Sequence, residues 1–272
     1  MLDSQNGVAL AANSLPENVS ITPIPAFTDN YIWCIHNQDY AVVVDPGDAN
    51  PVIEYCQRHQ LTLIGILITH HHHDHTGGIL SLHSAYGDIP VIGPVNDKIK
   101  GLTKQVKEGA VVSFPRLSVN FSVFEVPGHT LDHIAFVGHG GVFCGDTLFS
   151  AGCGRMFEGT PEQFTRSLTK LSRLADTTKV YCTHEYTLAN VTFARHLDVD
   201  NNDLAEYQVW AQTQREQNLP TLPTTIETQK AINPFLRCHV PALHAVLEEK
   251  AEQTLPDAVA VFAQMRRWKD EF

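Results

Sequence analysis

Between Ile64 and Gly78 an apolar, strand-like run ends in His70, His71, His72, His73, Asp74 and His75. In an extended segment alternate side chains point the same way, so His70 and His72 can turn imidazole nitrogens onto one ion. Asp74 and His75 lie past the bend, ahead of Gly77 and Gly78, where they can face a second ion. A histidine run can also be a solubilising surface, but titratable groups at the end of a buried strand are costly unless something binds them. His71 and His73 have the opposite phase and are expected to shape the loop without ligating.

Three more apolar strand ends carry residues of the same kind: His129 after Pro127 and Gly128, Asp146 after Cys144 and Gly145, and His184 after Cys182 and Thr183. The expected arrangement is one ion on His70, His72 and His129 and another on Asp74, His75 and His184, with Asp146 bridging through both carboxylate oxygens. His133, four residues after His129, is the competing imidazole and is expected to be structural. Asp45 and Asp48 read as carboxylates that hold loops and orient imidazoles. Histidine and aspartate donors accept several divalent metals, so two zinc ions per chain are expected, with iron or manganese as alternatives.

The elements that must position these residues begin as short strands: Ile21 to Ile24, Tyr31 to His36 and Tyr40 to Asp45. A helix is expected next, with Asn50 as N-cap and Pro51 at its first position. The run from Leu61 to Ile68 is a buried strand that delivers the histidine loop, followed by a short helix from Gly78 to Tyr86 and a strand from Ile89 to Ile92. A second sheet is expected from Ala110 to Phe114, Leu117 to Val126, Ile134 to Val137 and Val142 to Cys144. Thr160, Pro161 and Gln163 form a capping box with proline at N1, opening a helix with Phe164, Leu168 and Leu171 on one face. Lys179 to Cys182 is the last strand, and helical spacing takes over in Leu204 to Gln217, Ala242 to Glu252 and Pro256 to Trp268, with Asn218 to Asn233 as an irregular loop. The expected organisation is a tail over residues 1–19, a catalytic domain over 20–187 and a small helical domain over 188–272.

A chain of 272 residues with 43% hydrophobic content can bury a full core. Its formal charge of -11 argues against nucleic acid or an anionic membrane as partner, since both require a basic footprint. An anionic small substrate would therefore need a local basic patch. The six cysteines follow no CxxC spacing and most sit in apolar surroundings, which reads as buried thiols in a cytoplasmic, soluble protein. The first nineteen residues lack the pattern of a secretory leader, and no run is long and apolar enough to cross a bilayer.

The order Thr69, His70, His72, Asp74, His75 resembles the THxHxDH signature of the metallo-β-lactamase superfamily. Further stretches bring the resemblance closer: Pro25 to Tyr31, Val44 to Asp48, Pro127 to Thr130, Phe143 to Phe149, Ala151 to Arg155, Phe157 to Thr160, His184 to Tyr186 and Met265 to Asp270. Together they are similar to the glyoxalase II, or hydroxyacylglutathione hydrolase, family from about residue 20 to the C-terminus. The resemblance implies an αββα sandwich with a C-terminal helical domain, the seven ligands named above, and hydrolysis of S-D-lactoylglutathione to D-lactate and glutathione by a metal-bridging hydroxide. It implies catalytic roles for Asp74 and Asp146, and substrate binding by Arg155, Phe157, Tyr186, Arg266 and Lys269. The implied partner is the small-molecule thioester alone, with the chain acting as a monomer. Phe157 stands where some members have tyrosine, and Asp132 replaces a glycine often found there. The rival enzymes of the superfamily are a persulfide dioxygenase and a lactonase.

Overall fold

Val42, Val43 and Val44 are all shielded from solvent, which a strand achieves only when both of its faces are covered. They lie in a six-stranded sheet of β1 (Ser20–Ala26), β2 (Asn30–His36), β3 (Tyr40–Val44), β4 (Thr62–Leu67), β5 (Val91–Pro94) and β6 (Lys104–Val106), in that order. The first three strands run antiparallel, and β3 to β6 pair in parallel. Parallel pairing needs crossover connections, which α1 (Ala49–His59) supplies from β3 to β4 and the single turn α2 (His73–Thr76) with α3 (Ile79–Tyr86) supplies from β4 to β5. Val52, Cys56, Ile79 and Leu82 of the helices pack with Ile32, Val43, Leu63 and Ile66 on one face of the sheet.

An antiparallel meander covers the other face: β7 (Val111–Phe114), β8 (Val119–Glu125), β9 (Ile134–Gly138) and β10 (Gly141–Gly145). Gly65 marks the close approach of the two layers, because a Cβ there would stand 2.4 Å from the ring of Phe114. The computed structural model describes residues 14–272. These layers form one compact unit, residues 14–125 together with Asp132–Gly145; Val126–Leu131 and Asp146–Phe272 form the other.

The second unit contains the hairpin β11 (Leu148–Phe149) and β12 (Gly152–Cys153), then α4 (Pro161–Ser172), β13 (Lys179–Cys182), α5 (Thr187–Leu197) and α6 (Asn202–Glu216). β14 (Thr224–Thr225), α7 (Ile226–Ile232), α8 (Pro241–Ala251) and α9 (Ala258–Glu271) complete it. Its core is aromatic, with Phe262 5.5 Å from Phe164 and 5.7 Å from Phe235 between ring centroids. The expected capping box opens α4: Thr160 accepts from the Gln163 backbone and the Gln163 side chain accepts from the Thr160 backbone.

Several expectations change. Asp48, not Asn50, caps α1 by accepting from the Asn50 N–H, and Pro51 lies within the first turn. The segment Asn218 to Asn233 is not an irregular loop throughout, since it holds β14 and α7. Leu117 belongs to a 3-10 turn ahead of β8, while β6 and α5 appear where no element was expected. Of the expected tail, residues 1–13 lie outside the described residues; Val19 is buried and the Ser14 carbonyl accepts from His139. All six cysteines are buried and unbridged, as expected, and burial pushes the Cys153 thiol up to about 11. Among the described residues no helix is long and apolar enough to cross a membrane.

Because Gly65 faces an aromatic ring with no slack, Gly65→Ala should force Phe114 aside at a cost of about 1 to 3 kcal/mol. Calorimetry should show a melting temperature lower by roughly 2 to 10 °C. An unchanged melting temperature would show that the two layers do not meet there.

Candidate metal centre

In the first unit the histidine loop is organised on Asp45, whose side chain is 2% exposed. Its Oδ1 accepts from the Thr69 backbone N–H at 2.7 Å, and its Oδ2 accepts from the Thr69 hydroxyl at 2.7 Å and from His75 Nδ1 at 3.0 Å. With its proton given to Asp45, the Thr69 oxygen is left to accept from His70 Nδ1 at 3.1 Å. Both imidazoles thus carry the proton on Nδ1, a tautomer assigned from the bond network, so Nε2 bears the lone pair. This is the orientation by surrounding carboxylates and hydroxyls that metal-binding histidines need. Asp74 is held by Asn30, whose Nδ2 donates to Asp74 Oδ2 at 3.2 Å and to its carbonyl at 3.4 Å.

His133 stacks on His70 with ring centroids 4.5 Å apart, and its Nδ1 bonds the Ile134 carbonyl. His71 turns away to meet Asp132 Oδ1 at 2.9 Å, and Asn96 donates to the other oxygen of Asp132. His73 is exposed at the start of α2. Gly145, which precedes Asp146, has φ 48, and a Cβ there would lie 2.3 Å from the Thr69 hydroxyl oxygen. Only glycine permits that approach in the left-handed region.

In the second unit His129 gives its Nδ1 proton to the Arg155 carbonyl at 2.6 Å, leaving Nε2 as the lone-pair nitrogen, 3.5 Å from Asp146 Oδ2. His184 Nε2 lies 3.3 Å from the same oxygen. His75 Nε2 in the first unit likewise stands 3.4 Å from Asp74 Oδ2. At His75 and His129 a lone pair facing a carboxylate oxygen is repulsive unless a cation serves both, so these donors fit divalent metal. His70, His72, Asp74, His75, His129, Asp146 and His184 all belong to groups of donors that could hold an ion.

The loop after Asp146 is fixed by helices of its own unit. Ala151 N–H donates to Gln229 Oε1 at 2.8 Å, Asn233 Nδ2 donates to the Phe149 and Gly152 carbonyls, and Asn190 donates to the Ser150 carbonyl. The residues expected at a substrate pocket share this unit. Tyr186 stacks on His184 with rings 4.6 Å apart, Phe157 is 59% exposed, and the Arg155 guanidinium lies 5.6 Å from its ring centre. Arg266 is buried; its Nη1 donates to the Cys153 carbonyl at 3.0 Å and its Nη2 pairs with Asp270 at 2.9 Å. Arg155 Nε lies 3.8 Å from the same Asp270 oxygen. Burial, with the neighbouring Arg266 charge adding to it, lowers Lys269 to about 8.

Asn30 had no place in the spacing argument, because a hairpin asparagine gives no ligand pattern; its one signal is a polar residue opening a strongly apolar strand.

The metallo-β-lactamase superfamily profile matches residues 27–184, and a profile described as the hydroxyacylglutathione hydrolase C-terminus matches 185–272. A hydroxyacylglutathione hydrolase of Nitrosomonas eutropha is 52% identical over 254 residues, covering 93% of this chain and 99% of that protein. The chain belongs to the hydroxyacylglutathione hydrolase family. Among solved structures it is similar to the BLEG-1 B3 metallo-β-lactamase, with TM-score 0.60 and 22% identity over 80% of this chain and 99% of the other. It is also similar to ETHE1 from Myxococcus xanthus, with TM-score 0.55 and 28% identity over 79% of this chain and 96% of the other. The chain therefore has the metallo-β-lactamase fold with a C-terminal helical region, and the superfamily's His/Asp cluster implies a dinuclear divalent metal site.

If Asp45 sets the tautomers of His70 and His75, Asp45→Asn should weaken metal binding about 10- to 100-fold. Competition against a chelator, read by elemental analysis, measures this; wild-type affinity would leave Asp45 as a loop anchor only.

Proposed function

We infer that the chain is a metal-dependent thioester hydrolase that cleaves S-D-lactoylglutathione, and other S-2-hydroxyacylglutathiones, to the 2-hydroxy acid and glutathione. The observation that carries this reading is the pair of family matches running in series from residue 27 to 272. Support also comes from imidazoles whose Nδ1 protons are already committed to oxygen acceptors. In this reading His70, His72 and His129 hold one ion, Asp74, His75 and His184 hold the second, and Asp146 serves both. Zinc is the proposed metal, with iron and manganese as the alternatives the same donors accept.

When bound, the ions supply Lewis acidity and a water of lowered pKa. Asp74, held by Asn30, orients the attacking oxygen toward the thioester carbonyl. The carbon–sulfur bond breaks and the electron pair leaves on the thiolate of glutathione. A thiolate is a good leaving group, so no protein nucleophile and no strong general acid is required.

Substrate recognition is assigned to Arg155, Phe157, Tyr186, Arg266 and Lys269. Arg266 contributes mainly charge, because its donors are taken by Cys153 and Asp270, while Lys269 and the exposed Arg155 offer direct bonds to a carboxylate. The proposed division is a catalytic domain over 20–187 and a helical substrate domain over 188–272, supported by the junction of the family matches at 184 and 185. The net charge of -11 supports a small anionic substrate drawn to local cations over nucleic acid or membrane. We place the chain in the cytoplasm as a monomer, a reading supported by its six unbridged thiols only as to compartment.

Elemental analysis of active protein should give close to two metals per chain, with release of thiol from S-D-lactoylglutathione. Asp146→Asn removes a charge at nearly constant volume and should lower both metal content and turnover by orders of magnitude. One metal per chain in fully active enzyme, or wild-type turnover in the variant, would refute the bridging role.

Lys269 is cationic below about pH 8 and neutral above it. Because an anionic substrate needs the cationic form, kcat/KM should fall as pH rises through 8 in the free enzyme. Lys269→Arg keeps its charge throughout and should remove that alkaline limb, whereas Lys269→Ala should raise KM about five- to a hundred-fold at neutral pH. An alkaline limb that persists in Lys269→Arg would assign it to another group.

A further inference from the structure

The hairpin between β1 and β2 exposes a side chain that the metal chemistry leaves unused. Ala26 and Asn30 are paired across the hairpin, so Phe27, Thr28 and Asp29 form its tip. Phe27 has φ 50, in the left-handed region that bulky side chains rarely occupy, and it is 58% exposed. Backbone strain of this kind persists only where the surroundings enforce it, and it concentrates at functional sites. A large apolar ring gains little by being held in water, so core packing does not account for its position.

The tip is pinned beside a proposed metal ligand. Asn30, three residues on, donates to both the carboxylate and the carbonyl of Asp74. The ring of Phe27 lies against Gly47: a Cβ on Gly47 would be 2.8 Å from Phe27 Cε2 and 1.9 Å from the Asp74 carbonyl oxygen. A single glycine therefore separates the aromatic ring from the backbone of Asp74. The result is an exposed apolar surface across Gly47 from the backbone of Asp74, the residue whose carboxylate is assigned to orienting the attack on the acyl carbon.

We propose that Phe27 selects the acyl group of the thioester, its ring forming an apolar wall for the hydrocarbon part of the acyl chain. The proposal rests on the hydrolase reading above. Because the group meets the substrate beyond the reacting carbonyl, its effect is on discrimination between acyl groups and not on metal binding. A hydrocarbon wall next to the reacting centre limits acyl bulk by contact, and each carbon added or removed in such a pocket shifts discrimination by about 10- to 200-fold.

The test compares kcat/KM for S-D-lactoylglutathione and for the bulkier S-mandeloylglutathione in full-length, metal-loaded wild type, Phe27→Leu, Phe27→Ala and Phe27→Gly. The Ala and Gly variants should raise the mandeloyl-to-lactoyl ratio at least about tenfold at unchanged metal content, and Phe27→Leu should stay within a few-fold of wild type. Phe27→Gly suits the positive φ, so it reports on the missing ring even where the Ala variant folds poorly. A ratio within twofold of wild type in Phe27→Gly, or equal losses on both substrates accompanied by loss of metal, would overturn acyl selection. Wild type inactive on both thioesters would instead defeat the hydrolase reading itself.

Discussion

One buried carboxylate governs the histidine loop. Asp45 leaves the end of β3 with φ 54, a conformation aspartate tolerates better than most residues, and its own N–H bonds the Leu67 carbonyl. A charge buried to this degree is costly unless each oxygen is satisfied, and here Thr69 and His75 together bring three donors to it. The same bonds fix where β4 ends, which nitrogen of His75 is protonated and, through the Thr69 hydroxyl, which nitrogen of His70 is protonated. Fold stability and ligand preparation thus draw on one interaction. A substitution at Asp45 cannot loosen the one without altering the other.

In the second unit backbone carbonyls and helix-borne amides perform the equivalent task. Arg155 contributes its carbonyl, not its charge, to the orientation of His129. The turn beyond Asp146 is held by Gln229, Asn233 and Asn190, all buried amides with named acceptors or donors. Gly154 lets this turn close in, since a Cβ there would stand 2.1 Å from the Asp146 carbonyl oxygen. The helical segments therefore set the backbone of the loop that follows a proposed bridging ligand.

What was legible in the sequence follows from which interactions are local. Strand alternation, the capping box at Thr160 and the phase of His70 against His71 are all decided within a few residues, and the structure carries the elements they imply. Asp48 displaced Asn50 as the cap of α1 because its carboxylate accepts the Asn50 N–H and so opens the helix at Ala49, ahead of the proline, a choice that composition cannot rank. Helix α7 was hidden because Pro220 and Pro223 dominate the segment, while Gln229 and Asn233 reveal their purpose only through partners some eighty residues away. Asn30 and Phe27 were unreadable for the same reason: their meaning lies in Asp74 and Gly47, which only the folded hairpin brings near.

The basic pair on α9 shows how burial divides labour between two like charges. Arg266 is sunk among the Cys153 carbonyl, Asp270 and the Phe235 ring, which take up its guanidinium. At Lys269 burial, with the Arg266 charge adding to it, lowers the ammonium to about 8. Asp270 offsets only part of that repulsion, because it is already engaged by Arg266 and approached by Arg155. An arriving carboxylate would relieve the crowded cations and draw the Lys269 proton back, so binding an anion and protonating Lys269 favour each other. In a chain with a net charge of -11, Arg266, Lys269 and Arg155 around Asp270 form a local excess of positive charge, the basic patch that an anionic substrate would need.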